Sequence, residues 1–537
     1  MANDSQNTVS GDPIRAGVAS GWRVIDAATL TAPLTIEADA VIVGTGAGGG
    51  VTAEILARAG FKVVLIEEGP LKSSTDFRMR EADAYPELYQ ESAARKTKDK
   101  AISILQGRCV GGGTTVNWTS SFRTPPATLA HWSRAFDITG FASEDLAPWF
   151  ERMETRLAIA PWMVAPNANN AALARGSAKL GYQSDAIRRN VSGCRNLGYC
   201  GMGCPTNAKQ SMLVTTIPGA LDLGATLVTR ARALALEWRG DRVQALKCAA
   251  MDASGTTPTP IRLTIHARTY IACAGAIGTP ALLLRSGVPD PYSVVGRRTF
   301  LHPAVVSAAV MPEYIDGFSG APQSIYSDQF LDAAPVDGPI GFKLEAPPIH
   351  PLLTATTLPN HGHAHAQNMR EFRHLHVLIA LLRDGFHPQS SGGTVRLADD
   401  GTPVLDYPLN DYLWSGARRA MAAMAEIQFA AGARSVRPVH DNGRAFANAR
   451  EAREAIETFD LRPQATPLFS AHVMGGAPLG PDPRRAAVDL HGRYHHLVNL
   501  HVIDGSLFPT SIGANPQLSI YAIAAKLATG LGASLKA

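Results

Sequence analysis

The stretch that most constrains this chain lies near its start. Asp39-Ala40-Val41-Ile42-Val43 is a short apolar run of β type that ends in Gly44-Thr45-Gly46-Ala47-Gly48-Gly49-Gly50. A helical pattern from Val51 to Ala59 follows, closed by Gly60, and a second β-rich run, Lys62 to Ile66, ends at Glu67-Glu68-Gly69-Pro70. Length, period and glycine punctuation together read as one strand–helix–strand unit. Within it, Gly44-x-Gly46-x-x-Gly49 falls where the strand turns into the helix. Gly44 permits the tight turn, Gly46 lets a pyrophosphate approach the backbone, and Gly49 lets helix and strand pack closely. The free N–H groups and the dipole at the helix N-terminus favour an anion. Glu67 lies 18 residues beyond Gly49, at a strand end where a carboxylate accepts from ribose hydroxyls. An acid there, rather than an Arg, disfavours a 2′-phosphate. FAD and NAD both fit these residues.

Composition excludes several other classes. With 45% apolar and 18% charged residues over 537 positions, the chain has ample material for a large core and is not of disordered type. Its formal charge of +4 comes without a basic block, so nucleic acid is not an expected partner. No uninterrupted apolar run reaches the roughly 18 residues of a spanning helix, and the first residues lack the pattern of a signal peptide. Six cysteines are too few for a disulfide scaffold. The expectation is a soluble, cytoplasmic enzyme, periplasmic only if co-exported with a partner. Residues 1–36 read as an arm with little periodicity, and Leu413 to Ala431 as an amphipathic helix. Leu497 to Asp504 reads as a strand, followed by a loop and a helix from Leu518 to Leu531. A second strand–loop–helix unit at the far end implies a nucleotide domain assembled from both ends of the chain.

Four further markers follow in order. Gly107-Arg108-Cys109-Val110-Gly111-Gly112-Gly113-Thr114-Thr115-Val116-Asn117 is a second glycine loop, and Gly275 to Val288 is a third marker. His472-Val473-Met474-Gly475-Gly476 and Asp504-Gly505-Ser506 with Asn515-Pro516 complete the set. In this order and spacing, from about residue 37 to 535, the chain resembles the glucose–methanol–choline (GMC) family of FAD-dependent oxidoreductases. The second loop and a cysteine-rich loop look most like its long-chain (fatty) alcohol oxidase branch. Pro289 departs from the family's usual Gly at the end of the third marker, a local change.

The resemblance implies an α/β protein: a Rossmann-like FAD-binding domain plus an α+β substrate domain with an antiparallel sheet. The division expected is 37–130, 206–310 and 465–537 for FAD and 131–205 with 311–464 for substrate. The implied cofactor contacts are Gly44, Gly46, Gly49, Glu67, Gly111, Gly112, Thr115, Asn117, Asp504, Gly505 and Pro516. Val116 stands where some members attach FAD through a His, so the FAD is expected to be non-covalent. The implied reaction is oxidation of a hydrophobic primary alcohol to its aldehyde by hydride transfer to flavin N5. Electrons then pass to O2 or to an acceptor protein or quinone, and peripheral membrane association is compatible with such a substrate.

Oxidising an alcohol requires a base for the hydroxyl proton, a role that His fills near neutral pH. The resemblance assigns it to His472 and places Asn515 beside it, where an amide holds the alcohol oxygen or orients the base. Taken alone, His472 reads as a turn residue and Asn515-Pro516 as a turn signal. Two other readings stand beside this one. One is an iron–sulfur dehydrogenase of a sugar, polyol or sterol, and the other an FAD-dependent lyase or photodecarboxylase.

Cys194-x5-Cys200-x3-Cys204 lies among Gly193, Gly198, Gly201 and Gly203. Thiolates at such spacing can wrap an iron–sulfur cluster. A zinc would need a fourth ligand from Cys109, Cys248 or a His. A disulfide or three metal-free thiols in a tight loop is the alternative. His361, His363 and His365 would share one face of an extended segment, a chelating pattern, though a polar surface or lid is the plainer reading.

Overall fold

The computed structural model describes residues 11–537. The first sheet has the strand order Arg23–Asp26, Thr226–Thr229, Val63–Ile66, Leu34–Val43, Pro258–Ala272, Arg242–Met251, Ala231–Arg239, with Leu500–Val502 also paired to Pro258–Ala272. Its pairings are parallel from Arg23–Asp26 through to Pro258–Ala272 and Leu500–Val502, and antiparallel in the meander that follows. The central strands carry the composition this demands. Ala40–Val43 and Val63–Ile66 are runs of small and branched apolar residues, buried as a parallel strand covered on both faces requires. Helix Ala47–Arg58 rises from the first strand–turn, and helix Gln517–Lys536 packs on it and on Ser143–Arg156. Gln517–Lys536 has the length and hydropathy of a membrane span, yet 61% of that window is buried in the protein core.

The second sheet is mostly antiparallel, in the order Ile102–Ile104, Leu468–Ser470, Ala304–Val310, Leu375–Leu382, Phe342–Glu345, Ile325–Ser327, Asp185–Ala186. Helix Asp411–Ala430 covers it, starting where the Asn410 side chain accepts from the Leu413 N–H at 3.2 Å. Leu413, Ala417, Ala420, Met421, Met424 and Ile427 form its buried stripe. The chain is thus α/β with a second, antiparallel sheet.

The strand placements differ in detail from the sequence expectation. The segment read as an arm folds from Pro13 onward: Asp12 caps helix Pro13–Ala19 and accepts from Ser73 and Thr75 hydroxyls, and Arg23–Asp26 is an edge strand of the first sheet. Four residues held by backbone pairing are too short a run to show a period. Ile102–Ile104, Ala304–Val310 and Leu468–Ser470 belong to the second sheet, although the sequence division grouped their neighbourhoods with the nucleotide domain. His361 caps a helix, Gly362–Arg370, so the histidines there do not line one face of an extended segment.

Candidate active site

The first glycine loop borders a cavity of about 290 Å³. Gly44 turns with φ +99°, and a Cβ on it would lie 2.3 Å from the Cys273 carbonyl oxygen. A Cβ on Gly49 would lie 1.9 Å from the Gly44 carbonyl oxygen, whereas one on Gly46 would meet nothing within 4 Å. Two of the glycines are therefore needed by the protein's own packing. Gly46 leaves its space open on the cavity side, at the N-terminus of helix Ala47–Arg58, as the approach of a phosphate requires. Glu67 is buried at the strand end. One carboxylate oxygen accepts from the Thr45 N–H at 3.1 Å and hydroxyl at 2.6 Å, the other from the Gly69 N–H at 2.9 Å. Burial pushes its pKa up, against those bonds. A carboxylate has about four acceptor sites, so one remains for a hydroxyl in the cavity.

The second glycine loop meets the first through Thr45, whose hydroxyl accepts from the Gly111 N–H at 2.9 Å. Gly112, with φ +52°, lies so close that a Cβ there would be 2.9 Å from the Gly46 Cα. Gly112 and Asn117 border the cavity, with Gly113, Thr114 and Val116 between them, while Gly111 and Thr115 do not. The Thr115 hydroxyl donates to the Val110 carbonyl at 2.8 Å and holds the turn from behind, a correction to its expected cofactor contact. Asn117 donates to the Gln517 amide oxygen at 2.7 Å, tying the loop to the last helix. Lys209 lies beneath, buried, donating to the carbonyls of Thr115, Asn117 and Cys200, and burial lowers its pKa to about 8.

From the opposite side, Asp504 joins the third marker to the far end of the chain. One oxygen accepts from the Gly275 N–H at 2.8 Å and the Thr279 hydroxyl at 2.6 Å, the other from the Ser506 N–H at 2.8 Å. Burial raises its pKa. Asp504, Gly505, Asn515 and Pro516 all border the cavity. These glycine cradles and the spare acceptor of Glu67 fit a dinucleotide, and FAD would be held between the loops.

His472 is at the far end. Its Nε2 is 3.3 Å from the Asn515 amide nitrogen and its Nδ1 is 3.3 Å from His302 Nδ1. Burial, with Lys343 adding its charge, lowers the His472 pKa to about 4, so the imidazole is neutral at pH 7. A second cavity, about 130 Å³, opens on its other side between Ala304, Val306, Val377, Ile379 and Leu381 of the second sheet and Leu353 and Leu358. The two cavities share His472, Ala471, Gln323, Trp118 and Leu105. His472 and Asn515 are therefore brought together, as the sequence anticipated.

Sequence reasoning missed His302, Glu345 and Gln323. His302 is buried, with its backbone N–H donating to the Asp384 carboxylate at 3.2 Å. Glu345 is fully buried, bonded to the Gln323 amide and 3.4 Å from the Asn515 amide nitrogen, and burial raises its pKa to about 7. No local signal singles out Glu345: the residues before it, Ile340-Gly341-Phe342-Lys343-Leu344, already include a charge at Lys343.

The cysteine loop does not form the cluster site that was one of its two main readings. Each thiol is engaged separately: Cys194 with the Asn196 N–H at 3.4 Å, Cys200 with the Arg189 guanidinium at 3.8 Å, and Cys204 with the Thr206 hydroxyl at 3.5 Å. Among the described residues no three His, Cys, Asp or Glu side chains converge as a metal-holding group. The trio does not fit an iron–sulfur cluster or a zinc.

Comparison with known proteins agrees with this geometry. Family models described as GMC oxidoreductase match residues 85–304 and 388–524. The chain is 29% identical to a GMC-type oxidoreductase of Sinorhizobium fredii, over 93% of this chain and 95% of that one. It is 30% identical to a long-chain-alcohol oxidase of Arabidopsis thaliana, over 92% of this chain and 68% of that one. Among solved structures, pyridoxine 4-oxidase from Mesorbium loti superposes with a TM-score of 0.66 at 20% identity, covering 92% of this chain and 98% of that one.

Proposed function

The chain belongs to the GMC oxidoreductase family of FAD-dependent enzymes, and from that premise we propose that it oxidises a hydrophobic primary alcohol to the aldehyde, with His472 as base and O2 as electron acceptor. One observation carries the substrate class: His472 stands at the junction of the cofactor cavity and a largely apolar one. An alkyl chain lying along Val306, Val377 and Ile379 would present its hydroxyl to His472 and Asn515. Burying each methylene there contributes about 0.8 kcal/mol, which favours a lipophilic alcohol over a sugar.

Gly44, Gly46, Gly112, Asp504 and Gly505 would hold the cofactor, and Glu67 its ribose. Val116 offers no nucleophile, so attachment is non-covalent. Bound FAD supplies the hydride acceptor. The chain's own part is proton handling and orientation. A neutral His472 takes the hydroxyl proton at Nε2, and Asn515, 3.3 Å away, donates to the oxygen as its negative charge grows. The apolar walls keep water from the reacting centre.

The test is the absorbance spectrum of anaerobic, FAD-loaded protein before and after octanol. Bleaching of the flavin bands by octanol but not by glucose is expected, with H2O2 formed on admitting air. Flavin bands untouched by any alcohol would refute the reading.

A further inference from the structure

His472 can act as a base only while Nε2 carries no proton, and the surrounding network decides whether it does. The Gly513 N–H, an unambiguous donor, lies 3.0 Å from His302 Nε2. His302 is fully buried and, with its pKa held well down by burial and by nearby His472, Lys343 and Arg383, stays neutral. Its one proton must then sit on Nδ1, facing His472 Nδ1 at 3.3 Å. His472 accepts there, and its own proton falls on Nε2. From the other end the requirement is opposite. The Asn515 amide nitrogen faces both Glu345 Oε2, at 3.4 Å, and His472 Nε2, at 3.3 Å. That placement needs a carboxylate on one side and a bare nitrogen on the other. It also leaves Asn515 Oδ1 and Glu345 Oε1 buried without partners.

A half-turn of the Asn515 amide resolves the conflict, since its oxygen and nitrogen exchange places. With the oxygen turned toward the pair, His472 Nε2–H donates to it and so does a protonated Glu345. We propose that Glu345 is a positioning residue that selects the tautomer of His472 by turning the Asn515 amide. Ionised, Glu345 draws the amide N–H groups toward itself and His472, leaving Nε2 bare and competent as a base. Protonated, it draws the oxygen, and His472 carries its proton on Nε2. The proton that Glu345 releases goes to water in the cavity; His472 then carries its proton on Nδ1 rather than Nε2, and His302 carries its own on Nε2 rather than Nδ1, which ends the bond from the Gly513 N–H. A charge-assisted bond from Asn515 to the carboxylate replaces the weaker neutral one from Gly513 to His302.

The groups around Glu345 set its titration near neutrality. Burial raises it to about 7, opposed by Lys343 two residues along the same strand and by the amides of Asn515 and Gln323, and aided by Asp328. Tyr326 pairs with it on the neighbouring strand, and His472 and His302 lie beyond Asn515.

This rests on His472 being the base, but its first test needs no turnover. In holoprotein labelled with ¹⁵N-histidine, the two ring-nitrogen signals of His472, identified by their loss in His472→Asn, should exchange tautomer with a midpoint near pH 7. Glu345→Gln should hold one tautomer from pH 5.5 to 8.5. A tautomer that does not move in the wild type overturns the proposal, whether or not the variant folds, and so does equal movement in Glu345→Gln. With octanol, kcat/KM should rise about tenfold from pH 6 to 8 in the wild type, the change in the ionised fraction of a group titrating at 7, and less than about twofold in Glu345→Gln. The same tenfold rise in both would overturn it. An enzyme inert to alcohols with a switching His472 overturns only the substrate reading.

Discussion

Gly46→Ala separates what the first glycine loop does for the protein from what it does for its ligand. The added methyl would meet no protein atom within 4 Å, and Gly46 already has extended backbone at φ −68°. Ala is a poorer helix N-cap than Gly by roughly 1 kcal/mol, while its stiffer unfolded chain returns about 0.4–1 kcal/mol. The apo protein should keep its stability to within about 1 kcal/mol. The methyl does, however, stand in the space left for a pyrophosphate. A hydrogen bond to a charged group is worth about 1.5–3 kcal/mol, so the Kd for FAD should weaken by roughly 10- to 150-fold. Gly49→Ala is the contrast, because its methyl would lie 1.9 Å from the Gly44 carbonyl. Backbone must move there, at a cost of about 1–3 kcal/mol or more in the apo state itself. Thermal unfolding of both apo variants, with flavin fluorescence titration of Gly46→Ala, measures each effect. A Gly46→Ala protein that binds FAD as tightly as the wild type would refute the placement of the phosphates.

Three further outcomes are expected. His472→Ala should retain FAD but slow its reduction by octanol by about 10²–10⁴-fold, read by stopped-flow absorbance. Glu345 is raised from 4.5 to about 7 by folding, so the native state binds the extra proton. Its contribution is full below pH 4.5 and lost as pH rises through 7, so Glu345→Gln should remove about 3 kcal/mol of that pH-dependent slope in denaturant unfolding. In the wild type each added methylene should raise kcat/KM about fourfold until the apolar cavity is filled, a trend that Ile379→Trp should flatten.

What the sequence made legible was mostly what local geometry forces. Gly44 and Gly49 are visible because no other side chain fits their turn and packing, and the strand–helix–strand unit around them is built from neighbouring residues. His472 and Asn515 were reached through the order of the markers, since a lone His before a glycine pair says little. Glu345 and His302 were not reached because their meaning is made by pairing across the chain. Phe342–Glu345 and Ala304–Val310 flank Leu375–Leu382, and no local pattern records that neighbourhood. Thr115 illustrates the converse. It sits within a loop the sequence marks clearly, yet its hydroxyl turns inward to the backbone. The cysteine spacing likewise says which thiols are close along the chain, not whether they point at one another.

The pairing of Asp504 with Gly275 and Thr279 has a consequence for the life of the chain before it works. Synthesis runs from the N-terminus, and early segments begin folding first. The first glycine loop is made early, but the groups that close the cradle over it arrive with Asp504 and Asn515, more than 450 residues later in the chain. A nascent chain therefore holds an exposed half-cradle and an unfilled groove beside helix Ala47–Arg58 until those residues are made. Flavin capture becomes a late event, and a pause or nick before Leu500 yields a chain that cannot retain it.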